Sequence, residues 1–146
     1  MGIICPCGVS VNALSKKNNV KFEGKCGTVK GNLTYCAEIC VTTPGKSTLS
    51  LAFVDIQCPY VNNFLFKANA ITSVTCIKDG QNCVVTVKGT GIVKGVERSF
   101  VAVFKDRSAS TEHHIVQSFV ITGFFDQNGA ASVTRGSIIA VGCRER

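Results

Sequence analysis

The chain has 146 residues, 45% of them apolar and 17% charged, a balance that supports a core of its own and excludes a disordered segment. One domain is expected at this length, and no apolar run approaches the roughly 20 residues a membrane helix needs. The net charge of +7 leaves acidic polymers open as partners, but the absence of Trp and the scatter of most basic residues disfavour nucleic acid.

The N-terminus opens with Met1-Gly2-Ile3-Ile4, which lacks the basic region and long apolar stretch of a secretory signal. Either the chain is already mature, or it reaches an oxidising place by another route. Residues 1–8 read as an extended arm carrying Cys5 and Cys7, and residues 9–146 as a single domain. After the arm, Val9–Leu14 and Asn19–Glu23 are expected as short strands. Leu33–Thr42 follows, and Pro44-Gly45 is a turn signal, with proline fixing φ and glycine supplying a positive one. Thr48–Ile56 then continues antiparallel.

Gln57–Ala68 is interrupted by Pro59 and Asn62-Asn63, and reads as an irregular connection with an apolar tip at Phe64, Leu65 and Phe66. Ile71–Lys78 and Gln81–Lys94 flank Asp79-Gly80, a favoured dipeptide of two-residue hairpin loops. In Glu97–Lys105, Phe100, Ala102 and Phe104 share one face. Asp106–His113 is a polar loop, and His114–Phe125 a long strand with Phe119, Ile121 and Phe125 on one side. Asn128-Gly129 signals a further hairpin before Ala131–Val141 closes the domain. Val, Ile, Thr and Phe dominate throughout, and turn signals recur about every 8–12 residues. The expectation is an all-β, antiparallel β-sandwich of jelly-roll or other Greek-key topology, with a closed barrel as second choice.

The nine cysteines cannot all pair within one chain. Their abundance points to an oxidising environment, or to a metal. Cys36-x-x-x-Cys40 has the outer limit of a zinc spacing, but Cys5-x-Cys7 does not, and no matching second pair follows; no metal or cofactor is assigned. With Asp79-Gly80 as the loop, Cys76 falls opposite Cys83, where directly opposed Cβ atoms are about 4.5–5.5 Å apart. An internal disulfide is read there, with two reduced, buried thiols as the alternative. Cys36 and Cys40 on one strand stand about 13 Å apart and cannot pair with each other. Each needs a partner elsewhere, for example Cys26 or Cys58. Pro6 keeps Cys5 extended, so Cys5 and Cys7 project from the arm. They either return to their own domain, at Cys143 for instance, or lock onto a neighbouring subunit.

The apolar-then-cysteine arm of Ile3, Ile4, Cys5 and Cys7, followed by an all-β domain, resembles the subunits of bacterial endospore appendages. That resemblance implies a jelly roll, strand augmentation between neighbours, and disulfides from the arm into a preceding subunit. The chain departs from the pattern in lacking an adjacent Cys-Cys pair and in carrying more cysteines in its body.

Catalytic signals are weak. His113 and His114 are adjacent in a polar stretch, and Glu112, Asp106 and Ser110 set up no nucleophile, base and orienting group with them. Gly89-x-Gly91 lacks the ending of a phosphate loop and lies within a strand, where close packing explains it better. Asn32-Leu33-Thr34 is a glycosylation sequon that acquires meaning only in a eukaryotic secretory setting. The lysines Lys16, Lys17, Lys21, Lys25 and Lys30 form either a solvated strand surface or a patch for an anionic polymer.

The sequence therefore reads as a non-enzymatic, self-assembling extracellular or spore-surface fibre subunit. It has no small-molecule substrate and no membrane partner. Cys5, Cys7 and Cys143 are the candidates for links between subunits; Cys26, Cys36, Cys40, Cys58, Cys76 and Cys83 are those for internal bonds. The rival reading is a secreted monomeric module that binds an anionic polymer through the five lysines.

Overall fold

The structure is a computed structural model and describes residues 5–58, 60–80, 82–106, 114–133 and 137–143. Among these described residues ten strands are formed: β1 (Gly8–Phe22), β2 (Val29–Cys40), β3 (Thr48–Asp55), β4 (Phe64–Asp79), β5 (Asn82–Val93), β6 (Val96–Asp106), β7 (His114–Ile121), β8 (Phe125–Asp126), β9 (Ala131–Val133) and β10 (Ile138–Val141). Pro44–Lys46 makes a single 3₁₀ turn between β2 and β3. From β1 to β8 each strand pairs with the next, and β8 pairs back onto β1. The result is a closed, eight-stranded antiparallel barrel, with β10 added beside β1 and β9 beside β7.

The expected sandwich is thus corrected to a barrel, and the cause lies in β1. The two short strands expected there are one 15-residue strand with a bulge between Ser15 and Asn18. Lys17 takes a positive φ of 58° at that bulge, and its N–H donates to Asn32 Oδ1 at 3.0 Å. A bulge bends a strand and raises its twist. The first half of β1 therefore runs between β10 and β2, while its far end reaches β8 through Lys21–Asp126 and Phe22–Phe125. Counting strands and turns does not reveal such a bend, because the closing strand β8 is only two residues long.

The region 57–68 is corrected as well. Phe64, Leu65 and Phe66 are the start of β4 rather than a loop tip; Phe64 and Phe66 point inward and Leu65 outward. Two bulges, at Ala68/Ala70 and Ile71/Ser73, coil β4 strongly. Its ladder with β3 covers only four pairs, from Phe53–Phe64 to Ser50–Lys67, so the two strands part company toward the β4–β5 hairpin. Gly89 and Gly91 face the bulged region of β4: a Cβ on Gly89 would fall 2.0 Å from Ala70 O. Close approach, not ligand binding, accounts for both.

Alternation fills the interior. Leu33 and Tyr35 on β2, Leu51 and Phe53 on β3, Val85 and Val87 on β5, and Phe100, Ala102 and Phe104 on β6 are all buried. Phe22, Phe53, Phe64 and Phe125 form an aromatic cluster at one end, with Phe22 edge-on to the other three and Phe53 stacked on Phe64. Outward positions carry Asn12, Lys16, Glu38 and Lys67 among apolar residues such as Leu14 and Val54. A spanning barrel would instead present a continuous apolar outer band. Among the described residues no helix is long and apolar enough to cross a membrane.

Candidate functional site

The up-and-down strand order sends all six bonded cysteines to one end of the barrel. Cys5 pairs with Cys40, Cys7 with Cys76 and Cys83 with Cys143, at Cα separations of 5.8, 5.8 and 5.5 Å. β1 begins at this end, β2 finishes there, the β4–β5 hairpin turns there and the chain leaves β10 there. Here the hydrogen-bonded wall is open on two sides: β4 has left β3, and β8 touches only the far end of β1. Cys7–Cys76 joins the start of β1 to β4, and Cys83–Cys143 joins β5 to the segment after β10. Covalent bonds thus span the end that the backbone ladder leaves unclosed.

The arm does not project in this structure. Val41 N–H donates to Cys7 O at 2.9 Å, so the arm prolongs the β1–β2 ladder beyond Gly8–Cys40. On its other side the chain at Gly142 passes so close that a Cβ there would lie 1.9 Å from Pro6 O. Cys5, Cys7 and Cys143, expected to link subunits, are all engaged within the chain. Ile3 and Ile4 lie outside the described residues.

Nor do Cys76 and Cys83 bond to each other. The last pair of the hairpin is Asp79–Asn82, with Gly80 (φ 63°) in the first turning position, rather than Lys78–Gln81. Each residue of β4 thereby faces a partner two places further along: Cys76 faces Val85, and Cys83 faces Lys78. The two sulfurs are left free to take partners from the arm and the C-terminal segment. Cys40, for which Cys26 and Cys58 stand as examples of a partner, is taken by Cys5.

Cys26, Cys36 and Cys58 are unpaired and exposed. Cys36 points outward from mid-β2, flanked by Asn12 on β1 and Ser50 on β3. It lies in an open groove of about 480 Å³ with Glu38 and Lys67. Cys26 is in the β1–β2 connection and Cys58 in the β3–β4 connection, both at the end opposite the disulfides.

That opposite end is organised by Asp55. Its carboxylate accepts from Gln57 N–H at 2.8 Å and from Asn62 Nδ2 at 2.9 Å, while Asp55 N–H donates to Asn63 Oδ1 at 2.6 Å. Burial by itself would raise its carboxyl, but the hydrogen bonds from Gln57 and Asn62 and the charge of Lys25 outweigh it and hold the group below the ordinary carboxylate value. Of the five lysines, Lys16, Lys17, Lys21 and Lys25 are exposed and Lys30 is half-buried. Lys21 sits opposite Asp126 and Lys25 acts on Asp55, so acids intervene in the patch.

His114 is buried, 4% exposed, at the first position of β7, the residue at which that strand is expected to start. Its Nδ1 accepts from Ile138 N–H at 3.3 Å, which leaves the ring proton on Nε2, 3.6 Å from Asp106 Oδ1. Asp106 Oδ2 accepts from Ala140 N–H at 2.8 Å. The pair therefore latches β10 to β6 and β7. Sequence reasoning missed it, although His114 and Val116 share the inward phase of β7. His113, Glu112 and Ser110 lie outside the described residues. Among the described residues no group of three or more His, Cys, Asp or Glu side chains is placed to hold a metal ion.

Comparison with protein-family models, characterised proteins and solved structures gave no match to this chain.

Proposed function

We propose that the chain is a non-enzymatic structural subunit that works outside the reducing cytoplasm and joins copies of itself covalently. The observation that carries this reading is the division of its cysteines. Six are gathered into three disulfides at one end of the barrel, and the remaining three are all exposed and lie away from that cluster. A disulfide-rich chain suits an oxidising environment, where exposed unpaired thiols are the natural sites of intermolecular bonds. The linking role therefore passes from Cys5, Cys7 and Cys143 to Cys26, Cys36 and Cys58. Thiols on different faces of one subunit give heterologous contacts, which build open filaments when the rotation does not close.

A cell- or spore-surface fibre is the setting we favour, in keeping with the resemblance to endospore appendage subunits. The barrel departs from the jelly roll that this resemblance implies. The reading tests directly on denaturing gels of natively produced, alkylated protein. A ladder that collapses to monomer with reductant is expected, and the C26S/C36S/C58S variant is expected to remain monomeric. A ladder that persists in that variant, or a wild-type monomer with all three thiols unmodified, would overturn it.

A second reading rests on the exposure of four lysines, Lys16, Lys17 and Lys21 of β1 and Lys25 of the turn after it. On that reading the chain is a monomeric module for an anionic polymer, and its binding weakens steeply with salt.

A further inference from the structure

The two unpaired cysteines at the Asp55 end lie on adjoining loops. The β2–β3 ladder ends formally at Gly31–Asp55, yet its hydrogen bonds continue. Ile56 N–H donates to Lys30 O at 3.1 Å, and Lys30 N–H donates to Gln57 Oε1 at 2.8 Å. Beyond Ile56 the chain turns, with Gln57 N–H on the Asp55 carboxylate and Tyr60 N–H on Gln57 O, so Cys58 lies in a turn that the neighbouring Gln57 side chain ties to Lys30. Cys26 is two residues before Thr28, and the chain turns between them at Gly27, φ 76°.

Both loops are held in place from behind. Glu23 N–H donates to Phe124 O at 3.0 Å and Lys25 N–H to Phe22 O at 3.1 Å. On the other loop Tyr60 N–H donates to Gln57 O at 2.7 Å, and Asp55 grips Gln57 and Asn62. The charge of Lys25, the neighbour of Cys26, reaches the Asp55 carboxylate across the gap. A disulfide requires Cα atoms about 4.4–6.8 Å apart, so a bond between Cys26 and Cys58 draws the two adjoining loops together to that distance.

We propose that Cys26 and Cys58 form a reversible fourth disulfide, made by exchange with a low-molecular-weight disulfide. The thiolate of one cysteine attacks that reagent, forms a mixed disulfide and expels one thiolate. The second cysteine then attacks the protein sulfur of the mixed disulfide, forms the Cys26–Cys58 bond and releases the other half of the reagent. Two protein thiols are oxidised, one small disulfide is reduced to two thiols, and the two protons leave with them. The exposed lysines Lys21 and Lys25 favour the approach of an anionic reagent such as oxidised glutathione.

The bond changes how many neighbours a subunit can hold. With the loops reduced, three thiols are available for links; with the loops bonded, only Cys36 remains, and a subunit with one thiol stops at a dimer. This consequence rests on the proposed function, whereas the bond itself does not.

The test uses the full chain with its three disulfides intact, in the C36S background to prevent links through that position. The protein is equilibrated with glutathione buffers from reducing to oxidising, alkylated, and digested with trypsin without reduction. Cleavage after Lys25, Lys30, Lys46 and Lys67 puts Cys26 and Cys58 on separate peptides. The expected result is a cross-linked peptide pair, a monomer lighter by two hydrogens, and loss of both alkylation sites under oxidising conditions. Adding C26S should trap Cys58 as a stable glutathione adduct. Separate glutathione adducts on Cys26 and Cys58, or alkylation of both under excess oxidised glutathione, would overturn the proposal. Gels of the wild type distinguish the two failures: a ladder without the cross-linked peptide rejects the switch alone, and the peptide without any ladder rejects self-association alone.

Discussion

Cys83 and Asp106 stand directly opposite each other across β5 and β6, and both hold the C-terminal strand. Cys83 does so through its disulfide to Cys143, and Asp106 through the Ala140 N–H. The covalent and the hydrogen-bonded fastening of β10 thus originate from one cross-strand pair.

Asp106→Ala should release β10 without detaching it. The Ala140 N–H loses its acceptor and the His114 Nε2–H its neighbouring carboxylate, at a cost of about 1–3 kcal/mol. Amide exchange should quicken at Ile138–Val141 and at the facing residues Gly8–Val11, while β2 and β3 keep their protection. Uniform exchange across the barrel would refute the latch.

Removing disulfides should rank by what else closes the gap. Cys7–Cys76 spans a seam with no ladder, at a sequence separation of 69. Its C7A/C76A variant should lose about 4 kcal/mol on the chain-entropy estimate. C5A/C40A should lose less, because the β1–β2 ladder already holds Gly8 against Cys40. Denaturant midpoints in the reverse order would sink this account of the open end.

Tyr35 is buried between β1 and β3 and donates its hydroxyl to Gln127 Oε1. Gln127 Nε2 in turn donates to Val116 O at 2.9 Å and Gly129 O at 2.8 Å. Tyr35→Phe strands the amide oxygen of Gln127 and should cost about 1–3 kcal/mol. Burial also pushes the Tyr35 phenol far above its ordinary value. In a Y60F variant, whose sole tyrosine is Tyr35, absorbance should report phenolate only as the protein unfolds in alkali; a reversible titration of the folded state would contradict this.

Asp55 sets the acid limit of the opposite end. Its carboxyl is depressed in the folded chain, so its contribution is fully present above the unfolded value and is lost as pH falls through the folded one. Asp55→Asn should therefore be less stable than wild type at neutral pH, with the gap narrowing on acidification below the ordinary carboxylate value of 3.8. A gap independent of pH would exclude the carboxylate as its source.

Much of the wall was legible from alternation alone. Phe100, Ala102 and Phe104, and likewise Phe119 and Ile121, point into the core as their period-two spacing requires, whereas Phe125, expected on the same strand, reaches the core from β8 after the turn at 122–124. Closure was not legible, because it depends on a bulge at Lys17 and on the two residues of β8. The Cys76–Cys83 pairing failed on a single ambiguity, whether Gly80 comes second or first in the loop. One step there moves every partner by two residues. The true partners of Cys5 and Cys7 are fixed by a ladder that runs on past Gly8 and by the crossing at Gly142, neither of which leaves a local signature. Three unpaired thiols follow from those pairings and could not be assigned before them.

The split between a hydrogen-bonded end and a cross-linked end gives the molecule two fasteners that answer to different agents. Reductant acts only on the arm, the β4–β5 hairpin and the C-terminal segment, and leaves the phenylalanine-packed end closed. Heat and denaturant attack that packed end, but the intact cross-links still limit how far the strands separate. The chain therefore loses both fastenings only when reductant and denaturant are applied together.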